Sequence, residues 1–91
     1  MTAVTARPVK LLYFAWVREK IGRASEEITV PADIVTVGDL MSWLKTQGPE
    51  YAEAFHRAEV IRASIDQSHV KPATPIGAAR EIAFFPPVTG G

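Results

Sequence analysis

Apolar residues along the chain fall into several short runs and one longer run with helical spacing. Val9–Ala15 is apolar at nearly every position, which is typical of a strand in the middle of a sheet. Glu26–Val30 alternates, with Ile28 and Val30 on one face, and this pattern predicts a half-buried outer strand. Further strands are expected at three places nearer the carboxyl terminus: Val60–Ile65, His69–Lys71 and Glu81–Phe85.

The strongest helix signal extends from Thr36 to Gly48. Thr36 and Asp39 match a capping box, in which the hydroxyl and the carboxylate accept hydrogen bonds from the first free backbone amides. Apolar residues then recur at i, i+3, i+4 and i+7 and predict one buried stripe: Val37, Leu40, Met41 and Leu44. Gly48 followed by Pro49 predicts the end of this helix.

Two shorter helices are expected, one at Trp16–Ile21, which Gly22 ends, and one at Glu50–Arg57. The resulting order of strands around one strong helix favours the α+β class, in which a sheet packs on one main helix. Periodicity alone does not distinguish among the folds of that class.

Length and charge limit the possible classes of protein. The 91 residues allow one domain, which we place at residues 9–85 between a flexible leader (1–8) and an extended tail (86–91). Ten Lys and Arg residues balance ten Asp and Glu residues, so we expect no nucleic-acid partner. The longest apolar run has seven residues. Because a bilayer span needs about 20 residues, we expect no membrane partner and a soluble, cytoplasmic protein.

Several kinds of site are excluded or disfavoured by the residue types present. The chain has no cysteine, which excludes disulfides, thiolate metal sites and a cysteine nucleophile. His56 and His69 lack further ligands at metal-binding spacing, so we expect no metal site. Strand alternation sends Glu26 and Glu27 to opposite faces, so they do not form a catalytic pair. No glycine-rich phosphate loop is present, and we therefore expect no bound cofactor and an ATP-binding partner if ATP is used.

The carboxyl terminus has the most distinctive chemistry of the chain. Pro86 and Pro87 lack N–H donors, so they end sheet pairing and keep the backbone extended. From Pro86 the tail can reach roughly 20 Å beyond the sheet, and it ends in two residues without side chains and a free carboxylate. Such a tail is narrow enough to enter another protein's active site. We expect its reactive group on Gly91, preceded by five residues that thread into the partner: Pro86, Pro87, Val88, Thr89 and Gly90.

Three segments of the chain resemble one protein family. Ala83–Gly91 (Ala-Phe-Phe-Pro-Pro-Val-Thr-Gly-Gly) resembles the C-terminal signature of the small, sulfur-carrying subunit of molybdopterin synthase. Tyr13–Glu19 resembles that family's first strand and its exit into a short helix, and Ile65–Gln67 resembles a Val-Asn-Gln turn segment. Two departures occur, since Ala79–Glu81 replaces a Gly-Asp-Glu turn and Asp66 replaces the asparagine.

The resemblance implies a ubiquitin-like β-grasp fold and a role as a sulfur carrier in molybdenum cofactor biosynthesis. It implies that an E1-like adenylyltransferase consumes ATP to couple the Gly91 carboxylate to AMP, because a free carboxylate is a poor electrophile. A sulfur donor protein would then displace AMP and leave a thiocarboxylate. In a heterotetramer with the large subunit, the sulfur would attack a cyclic pyranopterin monophosphate. The basic residues that assist transfer belong to the large subunit, so this chain is a non-catalytic cosubstrate.

Other functions remain open at this stage. Related β-grasp carriers serve thiamine-thiazole synthesis or tRNA thiolation, and the Phe-Phe-Pro-Pro stretch favours the molybdopterin members by resemblance. A ubiquitin-like modifier that forms isopeptide bonds through Gly91 is a further possibility, as is a non-covalent interaction domain.

Two phenylalanines and two basic residues are candidates for the partner interface. Phe84 and Phe85 face opposite sides of their strand. Phe84 shares a face with Ile82 and is expected in the core, which leaves Phe85 for a partner. Lys71 and Arg80 either flank a docking surface or are ordinary solvated charges.

Overall fold

The computed structural model describes residues 6–87, which form one mixed sheet and its covering helices. In this part of the chain the strands are β1 (Arg7–Tyr13), β2 (Ser25–Val30), β3 (Arg62–Ile65), β4 (Ser68–Val70) and β5 (Glu81–Phe85). They pair in the order β2-β1-β5-β3-β4, with β1 and β5 parallel and the other pairs antiparallel. The helices are α1 (Ala15–Ile21), α2 (Val37–Leu44) and α3 (Pro49–Ala54), and a short 3₁₀ turn follows (Ala58–Val60). The α+β class is confirmed.

The helices cover one face of the sheet, which we call the inner face, and we call the opposite face the outer face. Inner-face residues of the strands are buried together with the predicted stripe of α2. The fully buried side chains include Val9, Leu11, Tyr13, Ile82 and Phe84 from the sheet and Val37, Leu40 and Leu44 from α2. This core holds β5, and therefore the start of the tail, in the interior of the sheet.

The predicted capping box at the start of α2 is present, but the helix ends at Leu44 and not at Gly48. The N–H and the hydroxyl of Thr46 both donate to the Trp43 carbonyl, at 2.9 and 2.6 Å. These bonds reach back only three residues and tighten the chain into a turn. Gly48 instead precedes the first residue of α3.

Strand β1 begins two residues inside the segment expected to be a leader. Arg7 pairs with Val30 of β2, and the strand ends at Tyr13 and not at Ala15. Pro8 is tolerated because pairing with β5 begins only at Lys10, so its missing N–H costs no hydrogen bond on that side. Residues 1–5 lie outside the described part of the chain.

Other boundaries follow the sequence pattern with small shifts. Helix α1 ends as predicted at Gly22, whose φ of 88° lies in the left-handed region that glycine adopts readily. The sequence predicts one helix over Glu50–Arg57 and the start of β3 at Val60. The structure has helix α3 and then the 3₁₀ turn, which includes Val60, so β3 begins at Arg62. Strand β4 is shifted by one residue from its predicted position, and β5 has the predicted bounds. None of the helices within residues 6–87 has the length and apolar character needed to cross a membrane.

Candidate functional site

The tail leaves the sheet from an interior strand. The Phe14 N–H of the chain after β1 donates to the Phe84 carbonyl at 3.1 Å, and Arg62 of β3 pairs with Phe85. Pro86 and Pro87 follow and are half-buried. Because neither proline has an N–H to donate, they cannot prolong pairing with β1 or β3. Strand β5 therefore ends at Phe85, as its pattern predicts.

The predicted site residues beyond Pro87 lie outside the described residues. They are the threading residues Val88, Thr89 and Gly90 and the reactive Gly91. Their roles stay predictions. The structure defines the support from which they extend.

The two adjacent phenylalanines have different environments. Phe84 is completely buried, stacks on Tyr13 with ring centroids 6.4 Å apart, and meets the edge of Phe55 at 5.2 Å. It belongs to the core, as expected from the face that it shares with Ile82, and this removes Phe84 from the two phenylalanine candidates for the partner interface. Phe85 lies half-buried on the outer face, where its ring centroid is 5.2 Å from that of His69. Its role as a partner contact stays a prediction.

The outer face next to the tail is apolar and uncovered in the described structure. Phe14 is 46% exposed, although the sequence pattern places it inside a strand buried on both faces. Its backbone is extended, so it continues the alternation that puts half-buried Leu12 on the outer face. Ala15 then adopts a φ of 53°, a strained value for alanine, and turns the chain into α1. Phe14 is thus an exposed aromatic next to the half-buried Phe85 at the tail end of the sheet, and sequence reasoning missed it.

On the inner face of the sheet, opposite Phe14 and Phe85, two tyrosines share the carboxylate of Glu26. The Tyr13 and Tyr51 hydroxyls both donate to Glu26 Oε2, at 2.7 and 2.6 Å. Arg23 donates to Glu26 Oε1 at 2.9 Å. The Glu26 side chain is only 15% exposed, so these bonds satisfy a carboxylate that little water reaches. This cluster is absent from the sequence-based predictions, which considered Glu26 only as a partner of Glu27.

Burial and the shared carboxylate both disfavour the ionised tyrosines. Burial, reinforced by the hydrogen bond to Glu26, raises the pKa of Tyr13 well above its ordinary value. The same causes in the same order raise the pKa of Tyr51 from 10.0 to about 12. Since the folded state binds these protons more tightly than the unfolded state, the stabilisation is complete below pH 10 and is lost as the pH rises towards 12 and above.

We predict that tyrosinate absorbance stays low as the pH rises past 10 and then increases together with the loss of native circular dichroism. The chain has two tyrosines and both bind Glu26, so the absorbance measures this cluster alone. The matched control is Tyr51→Phe, which leaves Tyr13 as the single reporter and keeps most of the packing. Free titration of both tyrosines near pH 10 in the folded protein would contradict the cluster.

The two segments that differ from the family pattern, Asp66 and Ala79–Glu81, are in contact with each other. Asp66 Oδ1 accepts the Arg80 and Glu81 backbone N–H groups at 3.2 and 3.0 Å, and the Asp66 N–H donates to the Glu81 carbonyl at 2.9 Å. Asp66 and Gln67 have φ values of 47° and 75°, and they form the two-residue turn between β3 and β4. The carboxylate thus ties this turn to the start of β5.

The histidines lie at separate places in the fold. His56 is exposed after α3, whereas His69 packs against Phe85. Among residues 6–87, no group of three or more His, Asp or Glu side chains is arranged to hold a metal ion.

Comparison with known sequences extends over nearly the whole chain. A profile of the ThiS family matches residues 11–91. The chain is 37% identical over 83 residues to the molybdopterin synthase sulfur carrier subunit of Escherichia coli. The aligned residues cover 91% of this chain and 99% of that protein. Identity to the Haemophilus influenzae protein of the same name is 34%, with the same coverage.

Solved structures support the fold. The crystal structure of SAMP1 from Haloferax volcanii has a TM-score of 0.67 at 24% identity, covering 92% of this chain and 99% of that chain. The solution structure of the Haloferax volcanii HVO 2177 protein has a TM-score of 0.72 at 21% identity, covering 100% and 92%. The ubiquitin-like β-grasp fold is therefore confirmed.

Proposed function

Because the chain belongs to the ThiS family, we propose that it is the sulfur carrier subunit of a molybdopterin synthase and serves molybdenum cofactor biosynthesis. The structural observation that supports this role is the passage of an interior strand directly into Pro86 and Pro87 beside the exposed Phe14. The sheet anchors the start of the tail, the two prolines end its backbone pairing, and the apolar outer face offers a surface for the receiving protein.

In the proposed cycle, an E1-like adenylyltransferase first activates the tail. A carboxylate oxygen of Gly91 attacks the α-phosphorus of ATP and releases pyrophosphate, which leaves a mixed anhydride with AMP as leaving group. Sulfur delivered by a donor protein at the oxidation level of sulfide then attacks the carbonyl carbon. AMP departs, and Gly91 ends in a thiocarboxylate. The ATP site belongs to the activating enzyme.

Sulfur transfer takes place on the large subunit, with which we propose that this chain forms a heterotetramer. The tail residues Val88–Gly90 pass into a pocket of that subunit, and the sulfur of Gly91 attacks a side-chain carbon of a cyclic pyranopterin monophosphate. A carbon–oxygen bond at that carbon breaks, and the oxygen substituent leaves. Water then hydrolyses the bond between the Gly91 carbonyl carbon and sulfur, which returns the carboxylate and leaves sulfur on the pterin. Two such deliveries complete the dithiolene. The chain is thus a consumed and regenerated cosubstrate, and we place the cycle in the cytoplasm, where ATP is available.

Intact mass spectrometry tests this proposal. The full chain is incubated with ATP and with the adenylyltransferase and sulfur donor encoded in the same genome. We expect a species heavier by the difference between one sulfur and one oxygen atom, and pterin product when the large subunit and its substrate are added. Attachment to lysines of other proteins would instead identify a modifier. The heavier species without pterin product, but with thiolated tRNA or thiazole, would identify a different carrier.

A further inference from the structure

A groove with basic residues in its lining lies beside the start of the tail, at the β4 edge of the sheet. It has a volume of about 520 Å³ and is lined by Arg62, Ala63, His69, Val70, Lys71 and Thr74. Arg62 pairs with Phe85 in the ladder between β3 and β5, and the His69 ring contacts the Phe85 ring. The groove is therefore continuous with the predicted partner contact at Phe85.

The charge of this groove is not balanced by its own lining. The lining includes the exposed Arg62 and Lys71 and no carboxylate. Neither residue takes part in the ion pairs found within residues 6–87. Glu59 lies with both of them around a smaller neighbouring cleft of about 90 Å³, but its carboxylate is bound by Arg57 at 3.3 Å. Because the whole chain has zero net charge, the positive surface is a local feature.

We propose that this groove binds an acidic segment of the large subunit, an inference that rests on the proposed function. A protein that encloses the tail must cover Phe85, and the side chains next to Phe85 on this side are Arg62 and His69. The Arg62 guanidinium can bind a carboxylate through two parallel hydrogen bonds, and Lys71 adds a second positive charge. An apolar centre at Phe85 with a charged rim has the usual composition of a protein interface.

The groove acts mainly on the rate and selectivity of docking. Charges at the rim of an interface steer the encounter and change the association rate and its salt dependence more than they change the dissociation rate. The tail must pass between an activating enzyme and the large subunit, so a charged rim helps to select the correct receiver. A nucleic acid is the less suitable occupant, because the balanced charge of the chain lacks the basic excess of such binders.

The test measures association rate and Kd between the full chain and the large subunit from the same genome, at low and at high salt. We expect Arg62→Glu and Lys71→Glu each to weaken binding about tenfold or more at low salt, mainly through the association rate, and to reduce the salt dependence. The matched control is Lys45→Glu at the end of α2, on the helix-covered side, with a change below about twofold. Circular dichroism confirms that each variant is folded.

The outcomes separate this inference from the function on which it rests. Normal sulfur transfer by the wild type, with groove variants that bind as tightly as Lys45→Glu, would overturn the groove and leave the function intact. Salt-dependent binding lost in the groove variants, without any pterin product from the wild type, would support the groove and overturn the function. The same variants are also titrated with an RNA oligonucleotide. If the groove variants lose affinity for the RNA and bind the large subunit as the wild type does, the proposal of an acidic protein partner is refuted.

Discussion

Deletion of Gly91 is expected to abolish sulfur transfer and to leave the fold unchanged. The deletion moves the terminal carboxylate back by about 3.5 Å, the length of one extended residue. Since a misplacement of about 1 Å at a reacting centre can cost 100-fold in rate, we expect product formation to fall by more than about 100-fold. The buried core described above ends at Phe84, so the thermal midpoint should move by less than the roughly 4 °C that 1 kcal/mol produces in a domain of this size.

Single-turnover pterin formation and a thermal melt of the same samples measure this prediction. Thr89→Ser is the matched control, because it shortens a tail side chain and keeps the length of the tail, and it should retain transfer. Replacement of Gly90 by valine adds a β-branched side chain near the tip and should block transfer while binding to the large subunit remains measurable. Full turnover by the shortened chain would remove Gly91 from the mechanism.

Substitution of the two adjacent phenylalanines is expected to separate stability from partner binding. Phe84→Ala removes a fully buried ring that contacts Tyr13 and Phe55, and such a change costs about 3–5 kcal/mol. We expect the thermal midpoint to fall by roughly 15 °C or more. Phe85→Ala removes a half-buried ring from the outer face and should cost about 1 kcal/mol or less in stability. Its affinity for the large subunit should nevertheless fall about 30-fold, as for a binding hot spot.

Thermal melts and titrations with the large subunit provide both readouts for both variants. Phe84→Leu keeps most of the buried volume, so it provides a folded variant if Phe84→Ala does not fold. Phe84→Leu should bind the large subunit normally, because the residue it changes does not reach the surface. The reverse result, with stability dependent on Phe85 and affinity dependent on Phe84, would contradict the assignment of these two faces.

The uncovered apolar surface at the tail end of the sheet explains a partial failure of pattern analysis. Val9–Ala15 is apolar on both sides, which typically indicates a strand covered on both faces. In the structure β1 lies between two strands, but Leu12 is half-buried and Phe14, just after β1, is 46% exposed. Sequence reasoning does not distinguish a face covered by the same chain from one that we propose a partner covers, because both require apolar residues.

Several features of the architecture depend only on interactions between residues close together in the chain, so the sequence alone predicts them. The capping box needs only residues three apart, the stripe of α2 needs only helical spacing, and the bounds of β5 follow from its alternation and from the prolines that lack N–H donors. The tail motif, read by resemblance, indicated the family that the comparisons then showed. Each of these features depends on neighbours along the chain.

Tertiary structure decided the features that join distant segments. The bond from Tyr51 to Glu26 spans 25 residues, and the Asp66 bonds to the start of β5 span up to 15. The groove between Arg62 and Lys71 exists only because β4 folds back beside β3 in one register. Periodicity assigns a side chain to a face but not to a neighbour, since strand order and register depend on the packing of the whole core. For that reason the sequence indicated which tail we propose to be reactive, and only the fold showed which residues surround the start of that tail.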